Sequence, residues 1–185
     1  MGRDKATLEV AGQTLLARTV EQVPPDIPLV VAGPRVTLDR SGVTFVQEEP
    51  PGGGPVAGLD AALAAVSTPI VVVLATDLPF AGRLPAELVR SLRDSPQDIH
   101  AVLAAGPDGR PQQLCAAYRT NALRDAVAAN GPAAGAAMHR VLEHLRSRTM
   151  AALALDDGAD ATWDIDTPED ALRLAELRAR SPEEN

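Results

Sequence analysis

The residue of this chain best placed to do chemistry is a carboxylate set just beyond an apolar run. Asp77 follows residues 70–75 (IVVVLA), and Pro79 fixes the turn after it. A strand with no polar alternation is buried on both faces, as in a parallel sheet. In open α/β sheets, ligands bind beyond the carboxyl ends of such strands. A carboxylate there suits Mg²⁺, which in turn holds phosphates; it can equally cap the next turn. A second feature is Gly52-Gly53-Gly54-Pro55, ahead of a helical pattern. Glycines let backbone come close to a flat or charged ligand, and a helix N-terminus favours anions. A plain flexible loop has the same composition. A third is Asp164-Ile165-Asp166. If extended, it puts two carboxylates on one side, which suits a divalent metal; taken alone it reads rather as a solvated acidic turn. Arg3, Asp4 and Lys5 cluster near the first residue. Lys5 has the reach for a phosphate, although charged termini are ordinarily solvated.

Other reactive residues carry less. His100, His139 and His144 do not cluster, and the last two, five apart, are not a facing pair on a helix. Cys115 sits within an apolar stretch and reads as packing. A single cysteine excludes an internal disulfide and a cysteine zinc cluster. Neither a Ser-His-Asp spacing nor a Gly-x-Gly-x-x-Gly fingerprint occurs.

These residues need elements to hold them. Leu8 and Val10 alternate with polar neighbours, and a turn follows at 11–13. A helix is predicted from about Thr14, with Leu16, Val20 and Val23 on one face, stopped by Pro24-Pro25. Residues 28–32 and 43–46 read as short strands. Pro55 is placed as a first helical residue, and Val56, Leu59, Leu63 and Val66 recur at helical spacing. Leu84, Leu88 and Leu92 mark a further helix. Residues 100–105 and 113–118 read as strands around a turn at 107–111. Helices are predicted from Asn121 to near Gly131 and along Met138, Val141, Leu142 and Leu145. A late strand is expected at 150–155. Thr167 and Pro168 are a good N-cap and first residue for the last helix. Strands alternating with helices argue α/β, with a mostly parallel sheet covered on both faces.

The bulk numbers agree. The 185 residues suit one domain. With 45% hydrophobic but 2% aromatic residues, the core must be built from Ala, Val and Leu. A net charge of −8 argues against a general nucleic-acid binder. It leaves room for nucleotides, which backbone N–H groups, a few cations and a metal can hold. No apolar run reaches the roughly 18 residues that span a membrane, and no signal peptide opens the chain. The expected setting is the cytoplasm.

In order, GRDK, L-x-V-x-G-x-x-L-L, PPGGGPVAGL, ATDLPF and DIDTPEDA resemble the molybdenum cofactor guanylyltransferases, the MobA-like NTP transferase family, from Met1 to about Leu177. The resemblance implies a Rossmann-like sheet of the nucleotide-diphospho-sugar transferase type. It implies a single domain over 1–178 and a frayed tail over 179–185. It also implies an opening strand and glycine-rich loop, so roughly 15 or more residues are expected before Met1. The implied reaction transfers a nucleoside monophosphate, GMP from GTP first, to a phosphorylated small molecule of the molybdopterin type, with Mg²⁺. The resemblance gives Lys5 the nucleotide phosphates, with Arg3 beside it, and Asp77 the metal. It sets Glu49, usually Asp, near base and ribose. Gly53, Gly54 and Pro55 match the loop between nucleotide and acceptor. Asp164 and Asp166 fall in an Asn-x-Asn-Thr-Pro-Glu motif on the acceptor side, with Asp166 completing the metal site. Here both Asn are Asp, as in cytidylyl-transferring relatives, and Pro111-Gln112 stands where His-Pro is more usual. A cytidylyltransferase, a sugar-nucleotide-forming relative and an inactive binding module of the same fold are the alternatives.

Overall fold

The structure is a computed structural model and describes residues 8–10, 12–78, 81–106, 108–151, 162–163, 165 and 167–180. Two short strands, β1 (Glu9–Val10) and β2 (Gln13–Thr14), pair antiparallel ahead of helix α1 (Leu15–Glu21). Thr14 is the N-cap rather than the first helical residue: its hydroxyl accepts the Ala17 N–H at 3.1 Å. The other end of α1 is held by Arg40. Its guanidinium donates to the carbonyls of Val20, Val23, Pro24 and Ile27, at and just beyond the helix end.

Strands β3 (Leu29–Ala32) and β4 (Val43–Val46) form a parallel pair. Helix α2 (Pro55–Leu63) leads to β5 (Ile70–Leu74), and α3 (Leu84–Arg93) to β6 (Ala101–Ala105). After β6 come β7 (Pro111–Arg119), α4 (Thr120–Asn130), α5 (Met138–Leu142), β8 (Ser147–Ala151) and α6 (Pro168–Arg180). The larger sheet has the order β5-β7-β6-β8. The expected parallel relation holds for β3 with β4 and for β6 with β8, while β7 runs against both neighbours. The cause is local. Gly109 N–H donates to the Gly106 carbonyl at 2.9 Å, and so short a turn can join only antiparallel strands.

Helices cover both faces of the sheet, and the strand period sorts the side chains between them. Ala101, Leu103, Ala116 and Tyr118 pack with Val56, Leu59 and Leu63 of α2 and Leu123 and Val127 of α4. The intervening Val102, Ala104, Cys115 and Ala117 pack with Leu84, Leu88 and Leu92 of α3. Cys115 is a fully buried thiol within that packing. Two arginines close helix ends on the backbone. Arg124 donates to the Leu63 and Val66 carbonyls after α2, and Arg119 to those of Leu92, Ser95, Pro96 and Ile99 around the end of α3.

The late strand lies earlier than the spacing predicts. It runs over Ser147–Ala151, in register with Ala101–Ala105, and four of its five residues are exposed. An edge strand with one open side carries polar residues, so apolar density points past it; residues 152–155 lie outside the described set. Thr167 caps α6 as expected. Asp170 N–H donates to the Thr167 hydroxyl at 3.1 Å, and Thr167 N–H to the Asp170 carboxylate at 2.8 Å, a reciprocal capping box. The helix continues through Arg180. Among the described residues, no helix is long and apolar enough to cross a membrane.

Candidate functional site

The carboxyl ends of β3 and β5 meet the glycine loop at one end of a large cleft of about 1700 Å³. Gly33 and Pro34 leave β3 there, Thr76 leaves β5, and Gly52, Gly54 and Pro55 complete the rim. Asp77 is next in line, half-buried in the turn beyond β5. Two main-chain contacts fix that turn. Thr19 of α1 donates its hydroxyl to the Thr76 carbonyl at 3.2 Å, and Ile165 N–H donates to the Asp77 carbonyl at 3.0 Å.

Ile165 is itself anchored. With Val10, Leu15 and Leu174 it forms a small buried cluster, with Trp163 packed against it. Arg173 lies over the Trp163 ring, 4.9 Å from its centroid, a favourable cation–π placement. The segment before α6 is thereby brought to the turn after β5.

The glycine loop is built for close backbone packing. Gly54 takes φ 88° at the N-cap of α2, a left-handed conformation that a side chain resists. Gly53 is constrained by space. A Cβ there would lie 2.7 Å from the Ala57 Cβ and 3.3 Å from the Pro50 carbonyl oxygen. Its own carbonyl accepts the Gly135 N–H at 2.7 Å. Gly52 N–H donates to the Glu48 carboxylate at 2.9 Å. Pro55 is the first helical residue, as predicted. No side chain caps this helix start, which leaves its N-terminal N–H groups pointing toward the loop, the arrangement that receives an anion.

Of the residues singled out in the sequence, Gly54, Pro55 and the 76–77 turn gather at this end of the cleft. Gly53 lies behind the rim against Ala57, and Glu49 is exposed, while its neighbour Glu48 lines the cleft. Arg3, Lys5, Asp164 and Asp166 lie outside the described residues. Sequence reasoning passed over Thr19, Glu48 and Gly135. The glycines in Gly131-Pro132-Ala133-Ala134-Gly135 were the available signal for the last; nothing local marks the other two. Among the described residues no group of three or more His, Cys, Asp or Glu is placed to hold a metal ion. Asp77 is a hard oxygen donor of the kind Mg²⁺ takes, one or two carboxylates at a time alongside phosphates and water.

The chain is 29% identical over 183 residues to a probable molybdenum cofactor guanylyltransferase of Natronomonas pharaonis, covering 94% of this chain and 89% of that one. It is 24% identical to a molybdenum cofactor guanylyltransferase of Shewanella sediminis, covering 97% of this chain and 90% of the other. Its fold matches the molybdopterin-guanine dinucleotide biosynthesis protein A of Archaeoglobus fulgidus with a TM-score of 0.73, at 21% identity, covering 97% of this chain and 93% of that chain. It also matches the 2-C-methyl-D-erythritol 4-phosphate cytidylyltransferase of Thermus thermophilus, with a TM-score of 0.69, at 23% identity, over 96% and 94% of the two chains. The profile of one family, the MobA-like NTP transferase domain, matches residues 1–156. The chain belongs to that family.

Proposed function

We propose that this protein is a Mg²⁺-dependent nucleotidyltransferase of the cytoplasm that moves GMP from GTP onto a phosphorylated, molybdopterin-type acceptor. The observation that carries the reading is the convergence of the Asp77 turn and the Gly52–Pro55 loop at the carboxyl end of the cleft, in a chain of this family. The names of the relatives supply the base and the acceptor.

An oxygen of the acceptor phosphate attacks the α-phosphorus. The new P–O bond forms as the bond to the β-phosphate oxygen breaks, and pyrophosphate leaves. Such a reaction asks the protein for positioning and charge neutralisation more than for covalent chemistry. The open helix start at Gly54-Pro55 would receive phosphate oxygens. Lys5, with Arg3, would counter phosphate charge, and Glu49 would sit toward base and ribose. Asp77, with Asp166, would hold Mg²⁺, while Asp164 would serve the acceptor side. The bound ion would supply electrostatic stabilisation of the charge shifting onto the leaving group.

Pyrophosphate release, measured with Mg²⁺, molybdopterin acceptor and each NTP in turn, tests this. Release with GTP is expected, and none without acceptor. The acidic pair Asp164 and Asp166 favours a second reading, in which CTP is the donor; release with CTP alone would select it. No release with any NTP, from a chain that is folded, would overturn both.

A further inference from the structure

The loop that carries Asp77 spans residues 75–83, between β5 and α3. Its middle is tied to the segment before α6 by the Ile165 N–H. Its two ends are tied to α1 and to Gln22 just past it. Near the first end, the Thr19 hydroxyl donates to the Thr76 carbonyl at 3.2 Å. Near the last, Gln22 Oε1 accepts the Gly82 N–H at 2.6 Å. Both bonds join groups far apart in the chain, and neither belongs to a helix or a sheet ladder.

Thr19 and Gln22, at helical spacing i and i+3, share one face of α1. Both line the cleft, as do Thr76 and Gly82. Each side chain is also seated on its own helix. Thr19 Oγ1 lies 3.1 Å from the Leu15 carbonyl, and Gln22 Nε2 donates to the Arg18 carbonyl at 3.1 Å. The Leu15 carbonyl has a backbone donor four residues on, which leaves the hydroxyl proton for Thr76. Thr19 is only 7% exposed, so water is a poor substitute for it there. The Gln22 amide points its nitrogen back at α1 and its oxygen forward at the loop. The helix behind them is a firm support. Leu15, Leu16 and Val20 are buried, Thr14 caps one end, and Arg40 holds the other.

We propose that Thr19 and Gln22 are positioning residues for the transfer reaction, a two-point brace that sets where Asp77 stands at the carboxyl end of the cleft. The brace acts through the backbone at Thr76 and Gly82, and it leaves the Asp77 carboxylate unengaged by either side chain. Misplacing a reacting or metal-holding group by about 1 Å costs about 100-fold in rate, so two bonds remote from the chemistry bear on it. The catalytic consequence rests on the nucleotidyl-transfer reading; the brace itself does not.

The test combines Thr19→Val, which keeps the branched shape and removes the donor, with Gln22→Met, which keeps the length and removes the acceptor. The first readout is residue-resolved hydrogen exchange of the full chain without nucleotide. In the double variant the Gly82 amide loses its acceptor and the Ile165 amide loses a fixed partner. Both should exchange about tenfold or more faster, while the Ala75 amide, bonded to the Leu114 carbonyl, stays as slow as in the parent. The second readout is pyrophosphate release against Mg²⁺ concentration. The kcat should fall about tenfold or more, and the Mg²⁺ needed for half-maximal release should rise about threefold or more. A merely destabilising change lowers the active fraction without moving the Mg²⁺ dependence. Thr19→Ser with Gln22→Glu keeps a donor and an acceptor in place and should bring both readouts back toward the parent. Should the double variant not fold, each single variant carries the same measurements. Gly82 and Ile165 amides as slow as the parent's overturn the brace. Faster amides with unchanged kcat and Mg²⁺ dependence overturn its positioning role. A folded parent that releases no pyrophosphate overturns the nucleotidyl-transfer reading instead, and the exchange rates still decide the brace.

Discussion

Ile165 and Asp77 are joined through their main chains, the Ile165 N–H donating to the Asp77 carbonyl at 3.0 Å. The tie positions the turn after β5 without using the Asp77 carboxylate. Asp77→Asn keeps the main-chain bond and removes the charge. Pyrophosphate release should fall by at least about 100-fold, with a melting midpoint within a few degrees of the parent. Unchanged release in a folded variant would remove Asp77 from the metal site.

Gly53→Ala should damage the loop through space alone. The added methyl meets Ala57 at 2.7 Å, Pro50 at 3.3 Å and the Ala134 Cα at 3.5 Å. Two of these are backbone atoms that cannot swing aside. A loss of about 1–3 kcal/mol in denaturant unfolding is expected, with weaker nucleotide binding as Gly54 is displaced. A neutral variant would show that the loop has slack which these contacts deny.

Arg40 is a stability residue. Arg40→Met keeps much of the stem and removes the guanidinium bonds to the carbonyls of Val20, Val23, Pro24 and Ile27. About 1–3 kcal/mol should be lost in urea melts. Parent-like stability would mean that water satisfies those carbonyls equally well.

Tyr118 makes the fold sensitive to base. Burial, and secondarily the charge of nearby Cys115, hold its phenol well above the ordinary 10.0. Its hydroxyl donates to the Gln113 carbonyl at 2.7 Å. The unfolded chain releases this proton near pH 10 and the folded chain does not. The stabilisation is thus fully present below pH 10 and declines as pH rises beyond it, toward the folded-state value. Tyr118→Phe should cost about 1 kcal/mol at pH 7 and flatten that decline. An equal decline in both proteins would assign it elsewhere.

How far the sequence speaks depends on how local each signal is. Thr167 and Asp170 announce their capping box within three residues, and Pro55 marks the start of α2 by its own ring. Asp77 stands out because an unbroken run of six apolar residues, 70–75, ends just before it at Thr76. β8 is different: Ser147–Ala151 is a strand because β6 lies beside it, and nothing in SRTMA says so. The contact of Gly53 with Ala134 and Gly135 is likewise invisible until two distant loops are brought together. The choice between Glu48 and Glu49 for the cleft wall turns on a single residue of chain direction, below what periodicity resolves. The antiparallel course of β7 was already implicit in the short turn at 107–111.

The middle of the sheet is made largely of alanine: Ala101, Ala104, Ala105, Ala116 and Ala117 are all buried. An alanine has no rotamers to lose on burial, whereas a leucine gives up roughly 0.5–1 kcal/mol of side-chain freedom. Burial at those five positions consequently costs no side-chain freedom. The entropic cost of packing there falls instead on larger side chains, Leu88 and Leu123 of the helices and Leu103 and Tyr118 of the strands.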